Sequence, residues 1–273
     1  MLSIIIPTYN SERTIEIAIR SVLAQLYSDW EILIIDGGSS DSTVSIANSF
    51  HDNRIMVTSE SDRGIYDAMN KGIGKAKGDW LYFMGSDDSF VNECILSSLF
   101  PCKEQADIIY GDVEAEHLCK RHYGEWRIRD IEFNRCHQAI FYRRFLFHKY
   151  GLYDLQYIIN ADYAFNLKVF FNNRVKTIYR PLKISYFSSG GASSHINDSA
   201  FVRDFPMLVL NNLYWKLSRS QKIYYLKDYV NNKHKLLERF FPDLLITILK
   251  IESNVRLMAL SIFKRVLSLH SLS

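Results

Sequence analysis

The 273 residues carry 48% hydrophobic and 23% charged side chains, with 12 Gly and only 5 Pro. That balance excludes disorder, collagen-like repeats and a disulfide scaffold, and it leaves material for a sizeable core. The net charge of +3 is unevenly spread, with +7 on residues 203–273 and −4 on residues 1–202, which suggests a body that handles cations and a tail that meets an anionic surface.

Met1 runs straight into an apolar stretch with no signal-peptide pattern, and Cys94, Cys102, Cys119 and Cys136 form no CxxC pair, so a reducing cytosol is expected. His117, Cys119, His122, Cys136 and His137 match no zinc spacing. No run reaches the roughly 18 apolar residues of a spanning helix, so the protein is not expected to be integral to a membrane.

In chain order, Ser3-Ile4-Ile5-Ile6-Pro7 predicts a short buried strand stopped by proline. Thr14, Ile15, Ile17, Ala18, Ser21 and Val22 predict a helix, with Asn10 or Ser11 as its cap. Trp30 to Ile35 predicts a second strand ending at Asp36-Gly37-Gly38-Ser39-Ser40-Asp41, followed by a helix over 42–50. A third strand is expected over 54–59, a helix over 66–76, and a fourth strand over 80–84 ending at Gly85-Ser86-Asp87-Asp88. Apolar, non-alternating strands separated by helices imply an α/β fold with a mostly parallel sheet covered on both faces. Ligands bind beyond the carboxyl ends of such strands, so Thr8-Tyr9-Asn10, Asp36-Gly37-Gly38 and Ser86-Asp87-Asp88 converge on one crevice.

Further on, a helix is expected over 92–100, a strand over 107–113, a hairpin or irregular excursion over 114–136, a strand over 137–142 and a helix over 162–171. The Ser188 to Ser194 run, with Gly190 and Gly191, reads as a lid, and two or three helices follow from Phe201.

Asp87 and Asp88 repel each other at a strand end, and a hard divalent cation, Mg²⁺ or Mn²⁺, is the usual offset; a helix-capping turn is the other reading. Asp36 beside Gly37 offers an acceptor for the imide N–H of uracil with room for the ring.

Ile5-Ile6-Pro7-Thr8-Tyr9-Asn10, the run from Asp36 to Thr43, the run from Gly64 to Ile73, and Gly85-Ser86-Asp87-Asp88 occur in the order and spacing of family 2 inverting glycosyltransferases of the GT-A fold. His137-Gln138 and Asn160-Ala161-Asp162-Tyr163 further resemble bacterial members that build surface polysaccharide, such as O-antigen, lipopolysaccharide or capsule. The resemblance covers about residues 1–195. It implies a catalytic domain over 1–200, with a nucleotide-sugar half over 1–112 and an acceptor half over 113–200, and a helical extension over 201–273.

The resemblance also implies roles. Thr8 and Tyr9 would line the nucleotide pocket, Asp36 would pair with the uracil, Gly37 and Ser86 would belong to the nucleotide-sugar site, Asp87 would approach the ribose, and Asp88 would ligate Mn²⁺ or Mg²⁺. Asn70 and Lys71 lead a helix toward the donor phosphates; Met69 stands where many relatives carry arginine, so Arg63 or Lys71 would supply the positive charge. Asp162 would be the general base that takes the acceptor proton during inversion, or else a first-turn helix carboxylate. His137 and Gln138 would contact acceptor or phosphate, or satisfy buried backbone, and His195 would reach the diphosphate on lid closure.

The expected reaction moves a hexose or N-acetylhexosamine from a UDP-sugar to a saccharide on a polyprenyl diphosphate, forming a β linkage. In the tail, Leu244, Ile248, Ile251, Val255, Met258, Ile262, Val266 and Leu269 form one helical stripe among basic residues. That pattern favours peripheral contact with the anionic cytoplasmic face of the inner membrane; burial against the body or in a homodimer also fits it. A nucleotidyltransferase would need a Gly- and Lys-rich loop after the first strand, which Thr8-Tyr9-Asn10-Ser11-Glu12 lacks. A nucleic-acid binder would need a basic body, so neither is expected.

Overall fold

The computed structural model describes residues 1–115, 124–128, 131–187 and 198–240. The chain divides into two compact units, Met1–Leu217 and Ser218–Ser273. The proposed lid with His195, and the apolar stripe beyond residue 240, lie outside the described residues.

The first unit is built on β1 (Leu2–Thr8), buried at every position. Its isoleucines have no polar face to show water, so it sits inside the sheet, paired in parallel with β2 (Trp30–Asp36) and β4 (Trp80–Phe83). β3 (Ile55–Ser59) extends the parallel half beyond β2. Pro7 does not stop β1 as expected. β4 pairs only with Leu2 to Ile5, so the amide that proline lacks has no neighbour to serve.

The order across the sheet is β3-β2-β1-β4-β7-β6-β8-β5. β7 (Ile140–Arg143) runs antiparallel between β4 and β6 (Ile108–Ala115), β8 (Thr177–Phe187) lies parallel to β6, and β5 (Ser89–Phe90) pairs antiparallel with β8. The strand expected from His137 begins only at Ile140, because residues 137–139 form a 3-10 turn. The Gln138 carbonyl is taken by the Tyr82 and Ser185 hydroxyls, at 2.9 and 3.0 Å, instead of a ladder partner.

Helices cover both faces. α1 (Ile15–Leu23) buries Ile15, Ala18, Ile19 and Val22. Neither expected side chain caps it: the Ser11 carbonyl accepts the Thr14 and Ile15 amides, and Asn10 sits at φ 48. α2 (Thr43–Asn48) and α3 (Ile65–Lys75) follow their strands as expected. α4 (Ile95–Leu99) runs on into a 3-10 stretch over Phe100–Gln105.

α5 (Phe145–Tyr150), β5 and β8 were not evident in the sequence. α6 (Ala161–Val169) is buried at all but one of its positions. α7 (Ser199–Leu213) is capped by the Asp198 carboxylate, which accepts the Phe201 amide at 3.1 Å, and it sets the Phe201 and Phe205 rings 5.1 and 5.4 Å from Tyr163. Those contacts place α7 in the first unit, which runs past residue 200 to Leu217. α8 (Arg219–Phe240) belongs to the second. Among the described residues no helix is long and apolar enough to cross a membrane.

Candidate active site

A cleft of about 1070 Å³ opens at the carboxyl ends of the parallel strands. Thr8, Tyr9, Gly37, Ser86 and Asp87 line it, so the three strand ends singled out in the sequence do meet there. The β1 and β2 loops are clasped together. The Gly37 amide donates to the Thr8 carbonyl at 2.9 Å, the Asn10 amide to Ser39 Oγ at 2.8 Å, and the Ser40 amide to Asn10 Oδ1 at 3.0 Å. Thr8 Oγ1 is buried without a hydrogen-bond partner among the described residues, whereas Tyr9 is 64% exposed. Ser86 is tied to Ser11 by a 2.8 Å hydroxyl contact.

Asp36 does not line this cleft. Its carboxylate is wholly buried and accepts the Gly38 and Ser39 amides at 3.1 and 3.0 Å, the Ser59 hydroxyl at 2.6 Å, and the Ser39 hydroxyl. Burial pushes its carboxyl up, but these hydrogen bonds outweigh burial and hold it below the usual carboxylate range. The acid that lines the cleft beside Gly37 is Asp62, and the cation that lines it is Arg13. The sequence reading named neither. Asp62 follows the end of β3, so the strand-end rule applied to a fourth strand would have found it; Arg13 had no signal beyond closeness to the first loop.

Asn70 and Lys71 are held by protein partners in this structure. The Asn70 side chain exchanges hydrogen bonds of 2.9 and 3.0 Å with the Tyr153 backbone, and Lys71 Nζ donates to the Ser61 carbonyl at 2.8 Å beside Glu60 at 3.4 Å. Arg63 is exposed and lies 3.5 Å from Asp67.

The remaining acids cluster through one turn. Asp87 is exposed on the cleft, whereas Asp88 is only 2% exposed, and its Oδ2 accepts the Gly85 amide at 2.8 Å and Gln138 Nε2 at 2.9 Å. Burial first and the Asp87 charge second push the Asp88 carboxyl up, against the Gln138 hydrogen bond. Asp162, in the first turn of α6, is 3% exposed. Its Oδ1 accepts the Tyr66 hydroxyl and the Tyr163 amide, both at 2.8 Å; its Oδ2 accepts Asn134 Nδ2 at 3.1 Å and faces His137 Nδ1 at 3.4 Å. His137 Nε2 is buried without a hydrogen-bond partner among the described residues. Consecutive residues of the 137–139 turn therefore connect the two buried acids, Gln138 to Asp88 and His137 to Asp162. Asn134 and Tyr66 escaped the sequence reading as partners of Asp162.

A hard cation suits the Asp87–Asp88 pair, because both donors are oxygens and the charge of one acid opposes ionisation of the other. Among the described residues no three metal-ligating side chains gather at one point.

The profile described as Glycosyl transferase family 2 matches residues 3–165. The chain is a family 2 glycosyltransferase. A PGL/p-HBAD biosynthesis glycosyltransferase from Mycobacterium tuberculosis is 39% identical over 216 residues, covering 76% of this chain and 84% of that one. The Escherichia coli UDP-Glc:alpha-D-GlcNAc-diphosphoundecaprenol beta-1,3-glucosyltransferase WfgD is 37% identical over 116 residues, covering 42% of this glycosyltransferase and 46% of WfgD. Staphylococcus aureus TarS 1-349, solved with UDP-GlcNAc, superposes with a TM-score of 0.65 at 20% identity over 88% of this chain and 73% of that one. That likeness shows the shared GT-A fold.

Proposed function

We propose that this glycosyltransferase moves a hexose or N-acetylhexosamine from a UDP-sugar, with inversion, to a saccharide carried on a lipid diphosphate, making a β linkage in bacterial surface polysaccharide. The observation that carries the reading is the joining of Asp88 and Asp162 through His137 and Gln138, next to Asp87, which lines the cleft. The named substrates of WfgD and the UDP-GlcNAc complex of TarS support the donor, and WfgD supports the acceptor class.

Asp87 and Asp88 would hold Mg²⁺ or Mn²⁺, which supplies positive charge for the departing diphosphate. Arg13, on the cleft, adds charge from the chain itself. Tyr66 holds one oxygen of Asp162 in place, and the other oxygen, now facing Asn134 and His137, is the one an acceptor hydroxyl engages and the one that takes its proton. The basic region 203–273 brings the enzyme to the anionic cytoplasmic leaflet where such acceptors reside.

The test is a donor panel: purified enzyme, a synthetic lipid-diphosphate saccharide and individual nucleotide sugars, with UDP release and product anomer as readouts. The expected result is β product from one α-linked UDP-sugar. An α product, or transfer only from GDP-sugars, contradicts the reading.

A further inference from the structure

Asp36, the acid of the Asp-Gly-Gly run, is buried and already accepts four hydrogen bonds, three of them on Oδ2, so it has no face to offer a base. Asp62 enters the cleft at the end of the neighbouring strand. Its Oδ1 accepts the Gly64 amide at 2.9 Å, and its Oδ2 makes no hydrogen bond within the described residues. A Cβ placed on Gly37 would lie 2.7 Å from that Oδ2, so the carboxylate occupies the space that a side chain at 37 would need. Gly37 is not at positive φ, so its glycine serves space rather than backbone freedom. Tyr9, 64% exposed on the same cleft, offers a ring face for stacking.

We propose that Asp62, and not Asp36, recognises the donor base: Asp62 Oδ2 accepts the imide N–H of uracil, and Gly37 is glycine so that this carboxylate can stand there. The assignment rests on the UDP-sugar reading and deepens it. Uracil presents a donor at its N3 position, whereas cytosine presents an acceptor there. A carboxylate pairs with the first and repels the second. Asp36 instead holds the glycine loop in shape.

The experiment measures UDP and CDP affinity by calorimetry on the full chain, for wild type and the variants Asp62→Asn, Gly37→Ala and Asp36→Asn, with thermal unfolding run on each. In Asp62→Asn the amide oxygen keeps the Gly64 N–H and turns its NH₂ toward the base, putting donor against donor for uracil. UDP affinity is expected to fall about 10- to 100-fold, and the preference for UDP over CDP to shrink by at least as much. Gly37→Ala pushes the Asp62 carboxylate aside and is expected to shift the ratio in the same direction; it also serves as the test if Asp62→Asn does not fold. Asp36→Asn is expected to lower the melting temperature and leave the ratio unchanged.

An unaltered UDP-to-CDP ratio in folded Asp62→Asn overturns the assignment while the donor reading stands. A ratio that shifts only in Asp36→Asn does the same. Wild-type enzyme that binds no UDP overturns the donor reading, and the assignment with it.

Discussion

Asp36 and Asp88 are buried carboxylates at the end of β2 and past the end of β4, the strands on either side of β1, and their surroundings drive them in opposite directions. Four donors surround Asp36 and outweigh the cost of its burial. Its folded pKa is depressed, so the stability it contributes is present above the usual 3.8 and is lost as pH falls through the lower folded value. Asp36→Asn is expected to cost about 1–3 kcal/mol at neutral pH. In paired denaturant titrations the gap between the two proteins should narrow below that pH; a constant gap contradicts the ionic role. Asp88 has two donors on Oδ2 against burial and the charge of Asp87. Asp88→Asn keeps an oxygen for the Gly85 and Gln138 donors and removes the buried charge. It is expected to raise the melting temperature by about 2–4 °C, the equivalent of roughly 1 kcal/mol, while abolishing metal-stimulated transfer. A variant that is destabilised and still active would show that the charge serves the fold.

At the scale of elements, the position of α3 on the sheet decides where Asp62 and Tyr66 stand, and Gly72 sets that position. A Cβ there would lie 2.5 Å from Ile5 Cγ2, whereas one on Gly74 in the same helix meets nothing within 4 Å. Gly72→Ala is therefore expected to cost about 1–3 kcal/mol through overpacking. Gly74→Ala is expected to gain about 0.5–1 kcal/mol from backbone entropy. Equal effects measured by chemical unfolding would contradict the close approach.

The first four strands were legible because each is a continuous apolar run ended by polar or glycine residues, from Ile4-Ile5-Ile6 to Leu81-Tyr82-Phe83. β8 was not, because Pro181 and the charged Arg180 and Lys183 interrupt it, and its pairing with β6 shifts register at Asp112. The site was legible to the same extent. Thr8, Ser86 and Asp87 follow from strand ends, whereas the joining of Asp88 to Asp162 depends on β7 running antiparallel beside β4, which local pattern does not report.

For the whole molecule, the charge asymmetry is the feature that fold alone does not use. Residues 203–273 carry +7, and α8 begins with Arg219 and includes Lys222 and Lys227. Sedimentation with vesicles is expected to show binding that needs anionic lipid and fades as salt rises and the Debye length falls below about 10 Å. Binding to neutral vesicles that ignores salt would point to apolar insertion instead.

In the proposed reaction the Asp162 carboxylate that faces His137 and Asn134 takes the acceptor's proton. Single-turnover transfer by Asp162→Asn, measured with UDP affinity on the same preparation, tests this most directly. The expected result is UDP bound as in wild type with the transfer rate down at least about 100-fold. Transfer at the wild-type rate would contradict it.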